Sequence, residues 1–261
     1  MKPKKSLGQN FLKNDSILSK IVDCGEINNE DTIVEIGPGT GHLTEKILNK
    51  NPEKLIVVEK DKNLSELLKK KFGNKIEIVN ADILEYYEKL DYGFPIKVFG
   101  NLPYNISTKI LISFIKTRNL NKKFKKFVFV FQKEVADRIT ASENTKNYGR
   151  ISILNSWKME VKKIIDIEPY HFHPKPKVRS SLLVFRPKLN PEYLKNSKHL
   201  EYITSTFFNQ RRKMIKKPFK QLFKNYEEIA KILKIDLNSR PQNLTKEKYF
   251  EICMEYEKLN H

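Results

Sequence analysis

Residues 32–49 read TIVEIGPGTGHLTEKILN, and this stretch decides the fold. Thr32–Ile36 is a short, mostly apolar run of the kind that forms a buried strand. Gly37, Gly39 and Gly41 then alternate with Pro38 and Thr40, giving a tight turn that a ligand can approach closely. Residues 40–49 read as a helix, with Leu43, Ile47 and Leu48 on one face. Strand, glycine turn and helix together open a βαβ unit, whose ligand lies beyond the carboxyl end of the strand. The spacing is G-x-G-x-G, not the dinucleotide G-x-G-x-x-G. Pro38 lacks the N–H that a pyrophosphate would use, and no Lys follows as in a phosphate-binding loop.

Outward from this unit the alternation continues. Residues 55–58 form a second strand, followed by a helix through Leu64, Leu67 and Leu68. Residues 76–79 and 96–99 are the third and fourth strands, and Ser107–Lys116 is helical. Residues 127–131 are the fifth strand, with a helix over 133–141 after it. That order predicts parallel strands joined by right-handed crossovers, hence an open sheet covered on both faces. Two further strand-like stretches, 162–167 and 181–185, complete a mostly parallel, seven-stranded sheet of Rossmann-like α/β class. Residues 186–191 read as a linker. Beyond it Phe207, Phe208, Met214, Ile215, Phe219, Leu222 and Phe223 are spaced for buried helix faces. The expected organisation is an α/β domain over 1–186 and a small all-α domain over 187–261.

The 261 residues hold 50 Lys and Arg against 31 Asp and Glu, a formal charge of +19. Such an excess draws polyanions, either nucleic acid or an anionic membrane. Sixteen Phe and eleven Tyr exclude a disordered chain. Cys24 and Cys253 offer neither metal spacing nor a disulfide framework, and His171 with His173 lacks further ligands, so no metal is expected. No apolar run approaches membrane length, and no apolar core follows the basic N-terminus. A cytoplasmic protein without a membrane partner is expected. Lys122, Lys123, Lys125 and Lys126 read as solubilising, Trp157 and the Met residues as core, and His42 as incidental to the glycine turn.

Two acids sharpen the glycine turn. Glu59 ends the second strand, where a carboxylate can accept both hydroxyls of a ribose. Asp82 follows the third strand, where a carboxylate can accept from an exocyclic adenine amine. Turn, ribose acid and adenine acid, at three successive strand ends, describe a pocket for an adenosine without phosphates. S-adenosylmethionine is the common ligand of that description. After the fourth strand comes Asn101-Leu-Pro-Tyr104. The N6 amine of adenine is a poor nucleophile because its lone pair is delocalised into the ring. An Asn101 oxygen and the Leu102 carbonyl can accept both of its N–H groups and free that lone pair. Pro103 stiffens the loop, and Tyr104 can stack on a base extruded from its helix. No general base is required; in-line orientation supplies the catalysis.

With these residues in view, the sequence resembles the ribosomal RNA adenine dimethyltransferase family over nearly its whole length. The resemblance includes Gly8–Leu12, Glu35–Gly41, Glu59, Asp82, Asn101–Ser107, Gln132–Arg138, Tyr148–Arg150, Phe172–Ser180, Arg211–Lys213 and Arg240-Pro241. The Gln132 and Arg211 motifs are similar to the small-subunit branch rather than the resistance branch. The resemblance implies a class I methyltransferase fold with a helical C-terminal domain. It implies that Asn10, Leu12, Gly37, Gly39, Glu59, Asp82 and Asn101 contact S-adenosylmethionine, and that Phe172 sandwiches the target adenine against Tyr104. It further implies a product, N6,N6-dimethyladenine, at two adjacent adenines near the 3′ end of small-subunit rRNA. The sequence departs from the pattern at Pro218, where an uninterrupted helix is expected, and at the Asn51-Pro52 step.

Between residues 211 and 224 stand Arg211, Arg212, Lys213, Lys216, Lys217, Lys220 and Lys224 without an acid, with phenylalanines interleaved. That pattern favours a phosphate-tracking face. Lys2, Lys4 and Lys5 flank Gln9 and Asn10, an arm expected to order over the pocket when ligand binds. The expected partner is small-subunit rRNA within a pre-assembled small subunit, met by a monomer. The competing readings are a non-catalytic assembly or transcription factor, a methyltransferase of large-subunit rRNA or of DNA, and a nicotinamide dehydrogenase.

Overall fold

The computed structural model describes residues 9–259. The arm with Lys2, Lys4 and Lys5, and Gly8 of the resemblance, lie outside the described residues.

The chain divides into two units: residues 1–136 with 160–188, and residues 137–159 with 189–261. In the first, β1 (Phe11–Leu12) and α1 (Asp15–Gly25) precede the decisive stretch, which forms β2 (Thr32–Ile36) and α2 (His42–Leu48). Then come β3 (Lys54–Val58), α3 (Lys62–Phe72), β4 (Glu77–Val79), α4 (Ile83–Tyr86), β5 (Ile96–Asn101), α5 (Ser107–Lys116), α6 (Leu120–Lys123) and β6 (Phe124–Gln132). After α7 (Lys133–Ile139) and α8 (Arg150–Lys158), the sheet is completed by β7 (Met159–Ile167) and β9 (Ser180–Pro187). Between those two, β8 (Phe172–His173) pairs antiparallel with β1.

The seven-stranded sheet runs β4-β3-β2-β5-β6-β9-β7. The five strands from β4 to β6 are parallel, and β9 returns antiparallel to β6. All five residues of β2 are buried, as a central strand covered on both faces requires. One face carries a cluster that includes Leu18, Ile21, Val22, Ile33, Val57, Leu68 and Val128. Elsewhere in this unit the Phe114 ring stands 5.2 Å from Phe124 and 5.0 Å from Phe127, and both contacts are angled as aromatic quadrupoles prefer. Because the crossovers reverse direction between β2 and β5, the loops that follow their carboxyl ends diverge and leave a crevice.

Opposite that crevice, Lys97 and Lys126 are buried. Lys97 is 2.5 Å from Asp31 and Lys126 2.6 Å from Glu26, which Arg186 also meets at 3.1 Å. Lys126 therefore departs from the solubilising role expected of it. Buried ammonium groups need such partners, because each leaves water only when its charge is matched.

The second unit is built from α8, α9 (Ser197–Phe208), α10 (Lys216–Leu222), α11 (Tyr226–Ile232) and α12 (Lys246–Leu259). Its division differs from a single cut at 186/187. Residues 137–159 pack with the C-terminal helices, since Trp157 Nε1 donates to the Glu192 carbonyl at 2.8 Å and Arg211 reaches the Thr145 carbonyl at 3.0 Å. Pro218 interrupts nothing: α9 ends at Phe208, and Pro218 falls in the first turn of α10, where a helix has no use for that N–H. Met214 is 57% exposed, not core. Among the described residues no helix is long and apolar enough to cross a membrane.

Candidate active site

The crevice is a cleft of about 1020 Å³ counting its open mouth, floored by the ends of β2, β3 and β5. Gln9–Leu12, the glycine turn, Glu59, Lys60, Asp82 and Asn101–Tyr104 all line it. The sequence-predicted donor residues Asn10, Leu12, Gly37, Gly39, Glu59, Asp82 and Asn101 are thus brought together.

Gly37 has φ +63°, and a Cβ there would meet nothing within 4 Å, so hydrogen leaves room in the cleft. Gly39 has φ +59°, and a Cβ would lie 2.6 Å from the Phe11 ring. Both need the left-handed backbone that glycine adopts without penalty. Glu35, 1% exposed, accepts from the Thr44 hydroxyl at 2.7 Å. Burial pushes its carboxyl up to about 8, against the Thr44 bond and with help from the Glu59 charge. Glu59 accepts from the Asp61 amide at 2.8 Å and the Gly39 amide at 3.3 Å. Burial raises its pKa, and these amides oppose the rise. Burial also acts to raise Asp82, but the Lys60 ammonium at 2.8 Å and the Leu84 amide at 2.9 Å outweigh it and hold the carboxyl below its usual value.

The residues suit an adenosine that carries no phosphate. Acids stand where hydroxyls and an amine would be accepted, and Lys60, the ammonium in the lining, is already paired with Asp82. Among the described residues no group of three or more His, Cys, Asp or Glu is placed to hold a metal ion.

At the end of β5 the Asn101 side-chain nitrogen donates to the Asn10 carbonyl at 2.7 Å. The amide is thereby oriented, and among the described residues nothing donates to its oxygen. Tyr104 lines the same cleft, its hydroxyl 2.6 Å from that of Ser180. Burial raises the phenol pKa, while the Ser180 bond lowers it.

Phe172 is placed differently from its expected stacking position. It is 4% exposed within the core cluster, opposite Leu12 in the β1–β8 pair, and is not part of the cleft lining. Apolar area of that size gains more from the core than from the rim. Arg211 is half-buried and hydrogen-bonds Gln242 and the Thr145 carbonyl, so its guanidinium also braces the second unit. Arg212, Lys213, Lys216, Lys217 and Lys220 are exposed. Sequence reasoning missed three residues. His42 lines the cleft with its Nδ1 2.8 Å from the Thr40 hydroxyl, and its pKa is lowered by burial and by Lys71. Lys60 reaches Asp82, and Ser180 reaches Tyr104; a lysine directly after Glu59 was a usable signal, whereas nothing local marks the serine.

A family model described as ribosomal RNA adenine dimethylase matches residues 1–258. The chain is 55% identical over 259 residues to a ribosomal RNA small subunit methyltransferase A of Pelagibacter ubique, covering 99% of this chain and 98% of the other. It is 43% identical over 255 residues to the protein of that name from Ehrlichia ruminantium, covering 96% of each. Among solved structures it is similar to a dimethyladenosine transferase from Plasmodium falciparum, at TM-score 0.75 and 27% identity over 95% of this chain and 98% of that one. A 23S rRNA methyltransferase, ErmE, shares the fold at TM-score 0.70 and 21% identity over 96% of this chain and 100% of that one. Since the family model runs from residue 1 to residue 258 and a full-length relative is more than half identical, the chain belongs to the ribosomal RNA adenine dimethylases and is a methyltransferase.

Proposed function

We propose that the chain methylates N6 of two adjacent adenines in the 3′-terminal stem-loop of small-subunit rRNA, giving N6,N6-dimethyladenine, with S-adenosylmethionine as donor. It acts as a monomer on the small ribosomal subunit in the cytoplasm. The observation that carries the reading is the orientation of Asn101. With its nitrogen held by Asn10, its oxygen is left to accept an N–H from an incoming amine. The Leu102 carbonyl, in the same loop, is the second acceptor. Two acceptors on one amino group draw its nitrogen towards tetrahedral geometry and expose the lone pair. Tyr104 supplies a stacking face for a base taken out of its helix.

Glu59 would hold the ribose hydroxyls of the donor and Asp82 its adenine amine, with the glycine turn admitting the chain between them. Bound there, the donor supplies an electrophilic methyl carbon. The residues orient, exclude water and accept hydrogen bonds; the amine's proton leaves to solvent, so no general base is needed. Arg212, Lys213, Lys216, Lys217 and Lys220 offer phosphate contacts. The test is mass spectrometry of rRNA nucleosides after undermethylated small subunits are incubated with protein and donor. N6,N6-dimethyladenine should appear at two positions; its absence with active donor removes the proposal.

A further inference from the structure

The Tyr104 ring is held at both ends. At the backbone end, Ser107 Oγ donates to the Tyr104 carbonyl at 3.3 Å. At the phenolic end, a 2.6 Å hydrogen bond joins its hydroxyl to Ser180 Oγ. Ser180 is itself fixed. It opens β9 opposite Gln132 of β6, and the carbonyl of the preceding Arg179 accepts from the Lys133 amide at 2.9 Å. The next residue, Ser181, donates to Asp166 at 2.7 Å, and Asp166 also meets Lys133 at 3.0 Å and Lys163 at 2.7 Å. The main chain is therefore anchored on either side of Ser180.

Ser180 has zero exposure, and among the described residues Tyr104 is the one partner of its hydroxyl. A hydroxyl buried in a sheet is a liability unless it is bonded, and alanine would pack there without that liability. The bond that redeems it runs to a residue of the catalytic loop. Without it, the ring could turn about two side-chain torsions, and its face towards the cleft would be one orientation among several.

We propose that Ser180 is a positioning residue that fixes the plane of the Tyr104 ring, so that the cleft presents a stacking face before the adenine arrives. The inference rests on the adenine-stacking reading of Tyr104 given under Proposed function. Ser180 touches neither substrate; it acts through Tyr104 alone.

The experiment is a double-mutant cycle on the full chain: wild type, S180A, Y104F and S180A/Y104F. The measurements are single-turnover methyl transfer to undermethylated small subunits, donor affinity, and thermal midpoint. A stem-loop RNA with 2-aminopurine at the target adenine reports stacking as quenching. S180A and Y104F should each slow transfer by about tenfold with donor affinity unchanged, and the double variant should be no slower than either. S180A should also weaken the quenching, and S180T, which keeps the hydroxyl, should restore rate and quenching together. Should S180A fail to fold, Y104F removes the same bond from the other side and must show the same loss. The proposal is overturned if S180A transfers at the wild-type rate, if the two losses multiply, or if the loss follows a fall in thermal midpoint. A wild-type protein that transfers no methyl group would instead remove the functional reading on which this inference stands.

Discussion

The Asn101 amide has its nitrogen committed to the Asn10 carbonyl, and the proposed function gives its oxygen the task of accepting from a substrate amine. Asn101→Ala should therefore lower kcat by about 10²–10³, the usual loss for one oriented hydrogen-bonding group in a reaction centre. RNA affinity, set elsewhere, should change less than about twofold; a variant that methylates at the wild-type rate would sink the assignment. Glu35 gives a second expectation. Its folded pKa, about 8, lies above the ordinary 4.5. The stability linked to its proton is then fully present below pH 4.5 and lost as pH rises through about 8. The ligand-free wild type should lose thermal midpoint over that window more steeply than Glu35→Gln, and parallel melting curves across it would count against the buried proton. At this scale the gathering of the candidate residues into one cleft was legible wherever they are contiguous or end consecutive strands, as Asn101–Tyr104, Glu59 and Asp82 do. The Tyr104–Ser180 bond spans 76 positions, and no local pattern announces it. Phe172 carries the residue type that its expected role needs, but the core claims its side chain first.

Among the helices, α9 starts on an acid from another element. Glu257 of α12 accepts the amides of Lys195 and Asn196 at 2.8 and 2.9 Å and lies 3.0 Å from the His199 ring nitrogen. Burial acts to raise its carboxyl, but these bonds outweigh it and the pKa is lowered. Its contribution is thus present above pH 4.5 and lost as pH falls through the depressed value. Glu257→Ala should cost about 2–3 kcal/mol at neutral pH, because two amides of the helix start lose a charged acceptor. Urea denaturation would measure it, and the gap to wild type should narrow in acid. The five parallel strands were readable because each is a short, mostly apolar run that a helix follows, whereas the two-residue β1 and β8 are too short to announce themselves. The helix α8 was not read. Ser152, Ile153, Leu154 and Asn155 are all buried, so the segment shows no alternation of apolar and polar faces. Unread, that segment also hid the interleaving of the two units along the chain, where one boundary was expected.

The whole molecule carries two opposed electrical characters. Its formal charge is +19, yet the cleft is lined by the acids Glu59 and Asp82, with Glu35 held neutral beside them. A polyanion and a cationic donor can thus be drawn to different parts of the protein. Replacing Lys213, Lys217 and Lys220 by Gln should weaken binding to the rRNA stem-loop and reduce the slope of log affinity against log salt by about 2–3. Donor affinity, measured calorimetrically, should not move. An unchanged salt slope would place the phosphate contacts elsewhere.

The amide of Asn101 is steered by a main-chain carbonyl, not by a side chain. Scanning residues 9–12 one at a time with alanine would pass over this device, because every variant keeps its carbonyls. Removing Phe11 would not, since it draws the Asn10 carbonyl about 3.5 Å along the chain. The amide would then be free to flip and offer its nitrogen where the oxygen belongs. The group that sets this amide therefore belongs to the backbone, where substitution data are blind to it.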